Sequence, residues 1–224
     1  MCARGIEELQ ELSSEFRASG WPLVIEQGDA LELDSFEASV KTLHSHLGGT
    51  DVLVNNVGGG GRWGSDSALS TDLSVWQEVM DKNFFATVRA TQVVLESMVV
   101  QGFGRVVTIA SRLGKEGNGR PWFVAAEAAQ IAFSKSMSRD QKLVRNGVSF
   151  LCVAPGATHT DGSGWDRLRQ DDADQYLSFT ETLPIGRLLT ADEVATVVGM
   201  MTGPAAMALN GACIAVDGGE SIFL

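Results

Sequence analysis

A chain of 224 residues with 44% apolar content can bury one full core, so a single α/β domain over 1–224 is expected. Its net charge of -11 repels phosphate backbones and anionic lipid, which argues against nucleic acid and membrane surfaces as partners. Three cysteines are an odd number, and Cys152 and Cys213 sit in short apolar runs, so they read as core side chains of a reducing compartment; no early apolar stretch has the length of a signal or a span, and a cytoplasmic location is expected.

In chain order, Ile6, Leu9, Leu12 and Phe16 recur at three- and four-residue spacing among Glu7, Glu8, Glu11 and Glu15, the pattern of a helix with one wet face that Gly20 stops. Leu23-Val-Ile then predicts a strand near 23–26, Gly28-Asp29 a turn, and Phe36, Val40, Leu43 and Leu47 a second helix ending at Gly48-Gly49. Val52-Leu-Val, Val106-Val-Thr-Ile, Val148 to Val153 and Cys213-Ile-Ala-Val lack polar alternation, so each is expected to be a strand covered on both faces. Strands therefore fall near 52–55, 105–110, 148–153 and 212–216, with crossover helices at 71–101, 121–145 and 190–203 between them. Right-handed crossovers of that length give a doubly wound parallel sheet in three layers. Residues 157–186 break the rhythm with Gly162, Gly164, Asp171, Asp172 and Asp174, and are expected to form a lid over the ligand crevice.

Asn55-Asn56-Val57-Gly58 follows the strand at 52–54, and Asn83, Ser111, Pro155-Gly156 and Val216-Asp217-Gly218-Gly219 come after it in order. Each motif alone is a common turn former. In that joint order, over nearly the whole chain, they resemble the short-chain dehydrogenase/reductase family. The resemblance implies a Rossmann-like fold and gives each residue a role. Asn55 and Gly58 lie beside the cofactor, Asp29 beside adenine, and Arg4 at the 2′-phosphate of NADP. Asn83 holds a water and helix backbone, Ser111 polarises a substrate carbonyl, and Pro155 and Gly156 flank the nicotinamide. It also implies subunit pairing through helices 71–101 and 121–145, where Ala125, Ala128, Ala129 and Ala132 permit close packing, so a homodimer or homotetramer is expected.

Two departures from the family pattern shape the functional expectation. The family opens with a strand, a Gly-rich turn and a helix whose backbone N–H groups cradle a pyrophosphate. Nothing like that turn precedes Met1, and Cys2-Ala3-Arg4 is similar to the end of the second family strand. The expected fold is therefore a truncated Rossmann-like sheet missing the usual first two strands. Gly58-Gly59-Gly60-Gly61 follows the wrong strand to replace the turn and reads as a flexible loop. Further on, the family's Tyr-x-x-x-Lys pair is Phe123-Val-Ala-Ala-Glu127 here, inside a run to Ser136 that otherwise follows the pattern. The tyrosine gives its proton to the carbonyl, and the lysine lowers the tyrosine pKa and holds the ribose; Phe123 has no proton to give, and Glu127 inverts the local field.

Glu127 reads either as a solvated or Arg-paired carboxylate or as a general acid/base raised by an apolar cleft. Trp122 and Phe123 are core aromatics or a wall facing substrate. Trp165 on the lid, Arg112 with Lys115 and Arg120, and His159 with Asp161 are further substrate candidates, set against plain surface roles. His44 and His46 point to different faces of one helix with no third ligand at metal spacing, so no metal is expected. The leading functional expectation is cofactor-free, non-redox proton transfer: dehydration, isomerisation or cyclisation of a carbonyl compound, with Ser111 and Asn83 polarising and Glu127 shuttling protons beside Phe123. Beside it stand an NADP(H)-dependent ketoreductase whose start lies upstream of Met1, and a catalytically inactive subunit partnering an intact dehydrogenase.

Overall fold

The computed structural model of the chain describes residues 1–65 and 67–223. Its elements run β1 (Cys2–Ala3), α1 (Ile6–Ala18), β2 (Glu26–Gln27), α2 (Leu33–His46), β3 (Val52–Asn55), α3 (Leu73–Met80), α4 (Ala86–Gln101), β4 (Gly104–Ile109), α5 (Leu113–Glu116) and α6 (Pro121–Met137). The second half continues with α7 (Gln141–Val144), β5 (Val148–Pro155), β6 (Thr158–His159), α8 (Gly164–Asp171), α9 (Ala173–Thr182), β7 (Leu189–Thr190), α10 (Ala191–Met200) and β8 (Cys213–Val216).

Four strands form an all-parallel sheet in the order β3-β4-β5-β8, with Val54 opposite Val107, Val107 opposite Leu151, and Val153 opposite Ile214. Successive side chains of a strand point to opposite faces, and here both faces are dry. Val106 and Phe150 pack against Val94 and Met98 of α4 on one side. Their chain neighbours Val107 and Leu151 pack against Met201 and Ala206, with Val194, Val197 and Val198 of α10 beside them, on the other. Burial on two faces is why these strands read as unbroken apolar runs, and each such side chain contributes about 1.5–3 kcal/mol.

Strands β1 and β2 pair in parallel as a separate ladder, Cys2 opposite Glu26 and Ala3 opposite Gln27, and β6 pairs with β7 in a third. Among the described residues no ladder joins β1 to β3. What fastens the β1–β2 pair is α2: Phe36 and Val40 bury against Ala86 and Ala90 of α4, with Cys2 and Leu53 at the margin. Arg89 of α4 adds ion pairs to Glu37 and, at 3.3 Å, to Asp34.

Several expectations need correction. Cys2–Ala3 forms a strand, so the expectation that the first two family strands are both missing is not met. The strand expected near 23–26 is Glu26–Gln27, because its ladder extends only where β1 offers partners; Val24 instead accepts the Met1 ammonium through its carbonyl. The helix expected over 71–101 is interrupted by a π turn at Asp81–Phe85, and the one expected over 121–145 stops at Met137 before the short α7. Within residues 157–186, Ser163 and Asp172 cap α8 and α9 by accepting from Asp166 N and Gln175 N. No helix among the described residues is long and apolar enough to cross a membrane.

Candidate active site

Parallel strands aim their carboxyl ends at one rim of the sheet, where an open α/β fold leaves its crevice. Past β4 and β5 that rim carries a cavity of about 610 Å³ bounded by Ser111, Phe123, Pro155, Gly156 and, across from them, Gly61 and Trp165. Ser111 Oγ accepts from Leu113 N at 3.2 Å, which leaves its own proton free to donate into the cavity. The Phe123 ring packs on Gly61, where a Cβ would stand 3.4 Å from it. Trp165 stacks on Phe179 at 4.4 Å between centroids and carries the Arg62 guanidinium 5.2 Å above its ring, so α8 is docked on the Gly-rich loop.

Asn83 sits in the π turn with its side chain wholly buried. Its amide nitrogen donates to Val79 O at 2.7 Å and to Gly59 O at 2.9 Å, and its oxygen accepts from Gly59 N at 2.8 Å. Instead of presenting a polarising group to substrate, Asn83 spends its side chain on clamping the loop after β3. Asn55 is likewise buried and donates to Thr91 Oγ1 at 3.2 Å. Trp122, a candidate for the substrate wall, is a core residue: 1% exposed, packed with Val79 and Ala126 and edge-on to Trp76 at 5.5 Å.

Glu127 lies one turn along α6 from Phe123 but inside the protein, 3% exposed and away from the cavity lining, with Oε2 lacking a hydrogen-bond partner among the described residues. α5 presses on it so closely that a Cβ at Gly114 would come within 2.8 Å of the Glu127 carbonyl carbon. Burial pushes its carboxyl up to about 8, so at neutral pH it is a neutral acid. Nearby, Cys152 and Cys213 face each other across β5 and β8. The hydrogen bond between them raises the Cys152 thiol, helped by burial, and lowers Cys213 against its own desolvation.

Arg112 does not offer a free charge to substrate. Its guanidinium pairs with Glu116 of α5 and, at 2.5 Å, with Glu220, and Glu220 Oε2 accepts from Ala157 N at 2.7 Å. The Arg112 backbone N–H also donates to Pro155 O at 3.2 Å, so residues 155–157 are tied both to the strand β4 exit and to the chain after β8. Arg120 fastens the Gly-rich loop, donating to the carbonyls of Arg62, Trp63 and Gly64 at 2.7, 2.8 and 3.2 Å, and Lys115 lies 3.8 Å from the Phe223 ring centroid. His159 is outside the cavity lining. Its ligand atoms and those of Asp161 and Asp166 lie within 4.8 Å of one another, but Asp166 already accepts from Gly162 N, Gln170 and Arg169, the bonding of a helix-start anchor.

A second polar group stands at the carboxyl ends of β1, β2 and β3. Arg4 follows β1, Asp29 follows β2 and holds Leu31 N at 3.0 Å, and Gly58 and Gly59 follow β3. Lys82 of the π turn reaches into this group and lies over the Trp63 ring at 5.0 Å.

The family model described as Enoyl-(Acyl carrier protein) reductase matches residues 3–221 of the chain. The chain belongs to the short-chain dehydrogenase/reductase family. It is 31% identical over 229 residues, 98% of this chain and 85% of the relative, to a Streptomyces coelicolor protein assigned as a ketoacyl reductase. It is 29% identical over 211 residues, 94% of this chain and 81% of the relative, to the 3-oxoacyl-[acyl-carrier-protein] reductase FabG of Escherichia coli. A single-site variant of the actinorhodin polyketide ketoreductase, crystallised with NADPH, superposes with a TM-score of 0.87 at 30% identity over 99% of this chain and 87% of that one.

These reductase relatives overturn the expectation of cofactor-free, non-redox chemistry and favour the nicotinamide-dependent alternative. This short-chain dehydrogenase/reductase also uses residues that the sequence reading passed over. Glu116 stands four residues beyond Arg112, a spacing that pairs side chains on a helix, and was the one legible partner. Glu220 is 108 residues from Arg112, and only the fold brings them together.

Proposed function

We propose that this protein is an NADPH-dependent reductase of a ketone, of the 3-oxoacyl or polyketide kind that its relatives' names describe. The observation that carries the reading is the Ser111 hydroxyl, free to donate, in a cavity shared with Pro155 and Gly156. A volume of about 610 Å³ is within the range of small-molecule pockets. The residues present fit the cofactor at both ends. Pro155, Gly156 and Ser111 bound the cavity where the nicotinamide would lie, and Arg4 and Asp29 stand at the strand ends where the adenosine half would lie.

When bound, the nicotinamide supplies a hydride. Ser111 Oγ donates to the substrate oxygen, where negative charge gathers as the carbonyl is reduced. Phe123 and Trp165 hold the substrate from two sides and keep water off its apolar part, with 157–186 acting as the lid. Phe123 has no proton, and Glu127 lies behind the wall, so the proton reaches the Ser111-held oxygen from water entering the open side of the cavity. The Arg112–Glu220 pair keeps residues 155–157, which would hold the nicotinamide, in place at the cavity. A second copy of the chain across α3, α4 and α6 would cover Leu73 and Phe85, which are 71% and 42% exposed.

The test is NADPH consumption with 3-oxoacyl thioesters, read by the loss of reduced-nicotinamide absorbance. Ser111→Ala should lower kcat by about 10²-fold while leaving the NADPH Kd unchanged, as expected for loss of one transition-state donor. Failure of the wild-type protein both to bind NADPH and to oxidise it with any ketone would refute the reading.

A further inference from the structure

Lys82 is a lysine with little to do in the folded chain. It sits half-buried in the π turn, directly before Asn83, and among the described residues its ammonium makes no ion pair or hydrogen bond. Its neighbours are the Trp63 ring at 5.0 Å and the backbone of Gly59, where a Cβ would stand 3.3 Å from Nζ. Gly59 has φ +130, a conformation that side-chain-bearing residues rarely adopt, so the backbone next to Nζ stays bare. Arg4 is close enough to oppose the charge of Lys82, and Asp29 close enough to favour it. Burial comes first in lowering its pKa, with Arg4 next.

Two cations and one carboxylate, the latter already holding Leu31 N, leave a net positive patch on a chain of net charge -11. Partly burying an ammonium beside a guanidinium with one carboxylate between them is unfavourable, and a further anion entering from outside would relieve it. The patch also lies at the carboxyl ends of parallel strands, between the two ladders that share no hydrogen bond, which is where open α/β sheets take ligands.

We infer that Lys82, together with Arg4, forms a phosphate-binding site in the crevice between β1 and β3, and that Lys82 holds a phosphoryl group of the dinucleotide. The inference rests on the NADPH-dependent reading above, but it adds a binding residue outside the family's motif positions. Phosphate chemistry is what two cations alongside exposed backbone recognise, and the source is distinguished by the probes.

The experiment is calorimetric titration of wild-type, Lys82→Gln and Lys82→Arg protein with NADPH and, separately, with inorganic pyrophosphate, at two salt concentrations. Thermal unfolding of each ligand-free variant serves as the folding control. Lys82→Gln should weaken NADPH by about tenfold or more, flatten its salt dependence, and leave the ligand-free unfolding temperature unchanged, with Lys82→Arg restoring most of the affinity. Wild-type binding of pyrophosphate that Lys82→Gln abolishes would support the site even if NADPH failed to bind, in which case only the reductase reading falls. Wild-type binding of NADPH with the same Kd and salt dependence in Lys82→Gln would overturn the inference while leaving the reductase reading intact.

Discussion

A carboxyl group that is 3% exposed, with one oxygen unpartnered, holds its proton more tightly in the folded chain than in the unfolded one. For Glu127 the folded value is about 8 against an ordinary 4.5. The stabilisation is therefore complete below the unfolded value and is lost as pH rises towards the folded value, with a slope of at most about 1.4 kcal/mol per pH unit between them. Urea unfolding at pH 5, 6 and 7 should show stability falling with pH, and Glu127→Gln should remove that fall; a variant with the same pH dependence as wild type would contradict the burial account. The identities of Phe123 and Glu127 were legible in the sequence, and so was their departure from the family pattern. Their surroundings were not: Phe123 and Glu127 share one face of α6 a turn apart, with Phe123 at the cavity and Glu127 deeper along the helix, and only the packing of α5 at Gly114 shows why that carboxyl is dry. Of the two roles open to Trp122 and Phe123, core and substrate wall, each residue takes one, since adjacent helix positions lie about 100° apart and only Phe123 faces the cavity.

Among elements, the strands were the most readable, because short β-branched apolar runs bounded by turn residues suit strands covered on both faces, and β4, β5 and β8 fall within a residue or two of expectation. The π turn was not readable: nothing in Asp81–Phe85 departs from helical periodicity, and the extra residue is accommodated by Asn83, whose side chain bonds back to Val79 O and out to Gly59. The joint between β4, β5 and β8 was also invisible, as Arg112, Ala157 and Glu220 are far apart in sequence. The Glu220 side chain is 7% exposed and that of Arg112 15%. Glu220→Gln removes the charge partner of a largely buried guanidinium and weakens the hold on Ala157 N, so a loss of about 3 kcal/mol is expected in denaturant unfolding, partly offset by Glu116. An unfolding midpoint within error of wild type would show that Glu116 alone neutralises Arg112.

At the scale of the whole molecule, doubly wound architecture and the order of the motifs were legible, while the division of the strands into separate ladders was not, because pairing partners are a property of space rather than of local pattern. The β1–β2 ladder is only two residues long on each side and leans on α2 for its attachment, whereas β4 and β5 pair over six positions in the centre of the core. Hydrogen exchange should therefore be much faster for Glu26 and Gly28, whose amides bond to Met1 and Ala3, than for the amides of β5, and comparable protection of both would mean that the chain opens as one unit. Arg4 and Asp29 ride on the looser part, and Ser111 and Gly156 on the firmer one. A molecule long enough to grip both would act as a rivet across the seam. Occupancy would then be felt first as stiffening of the N-terminal flank, far from any bond being made or broken.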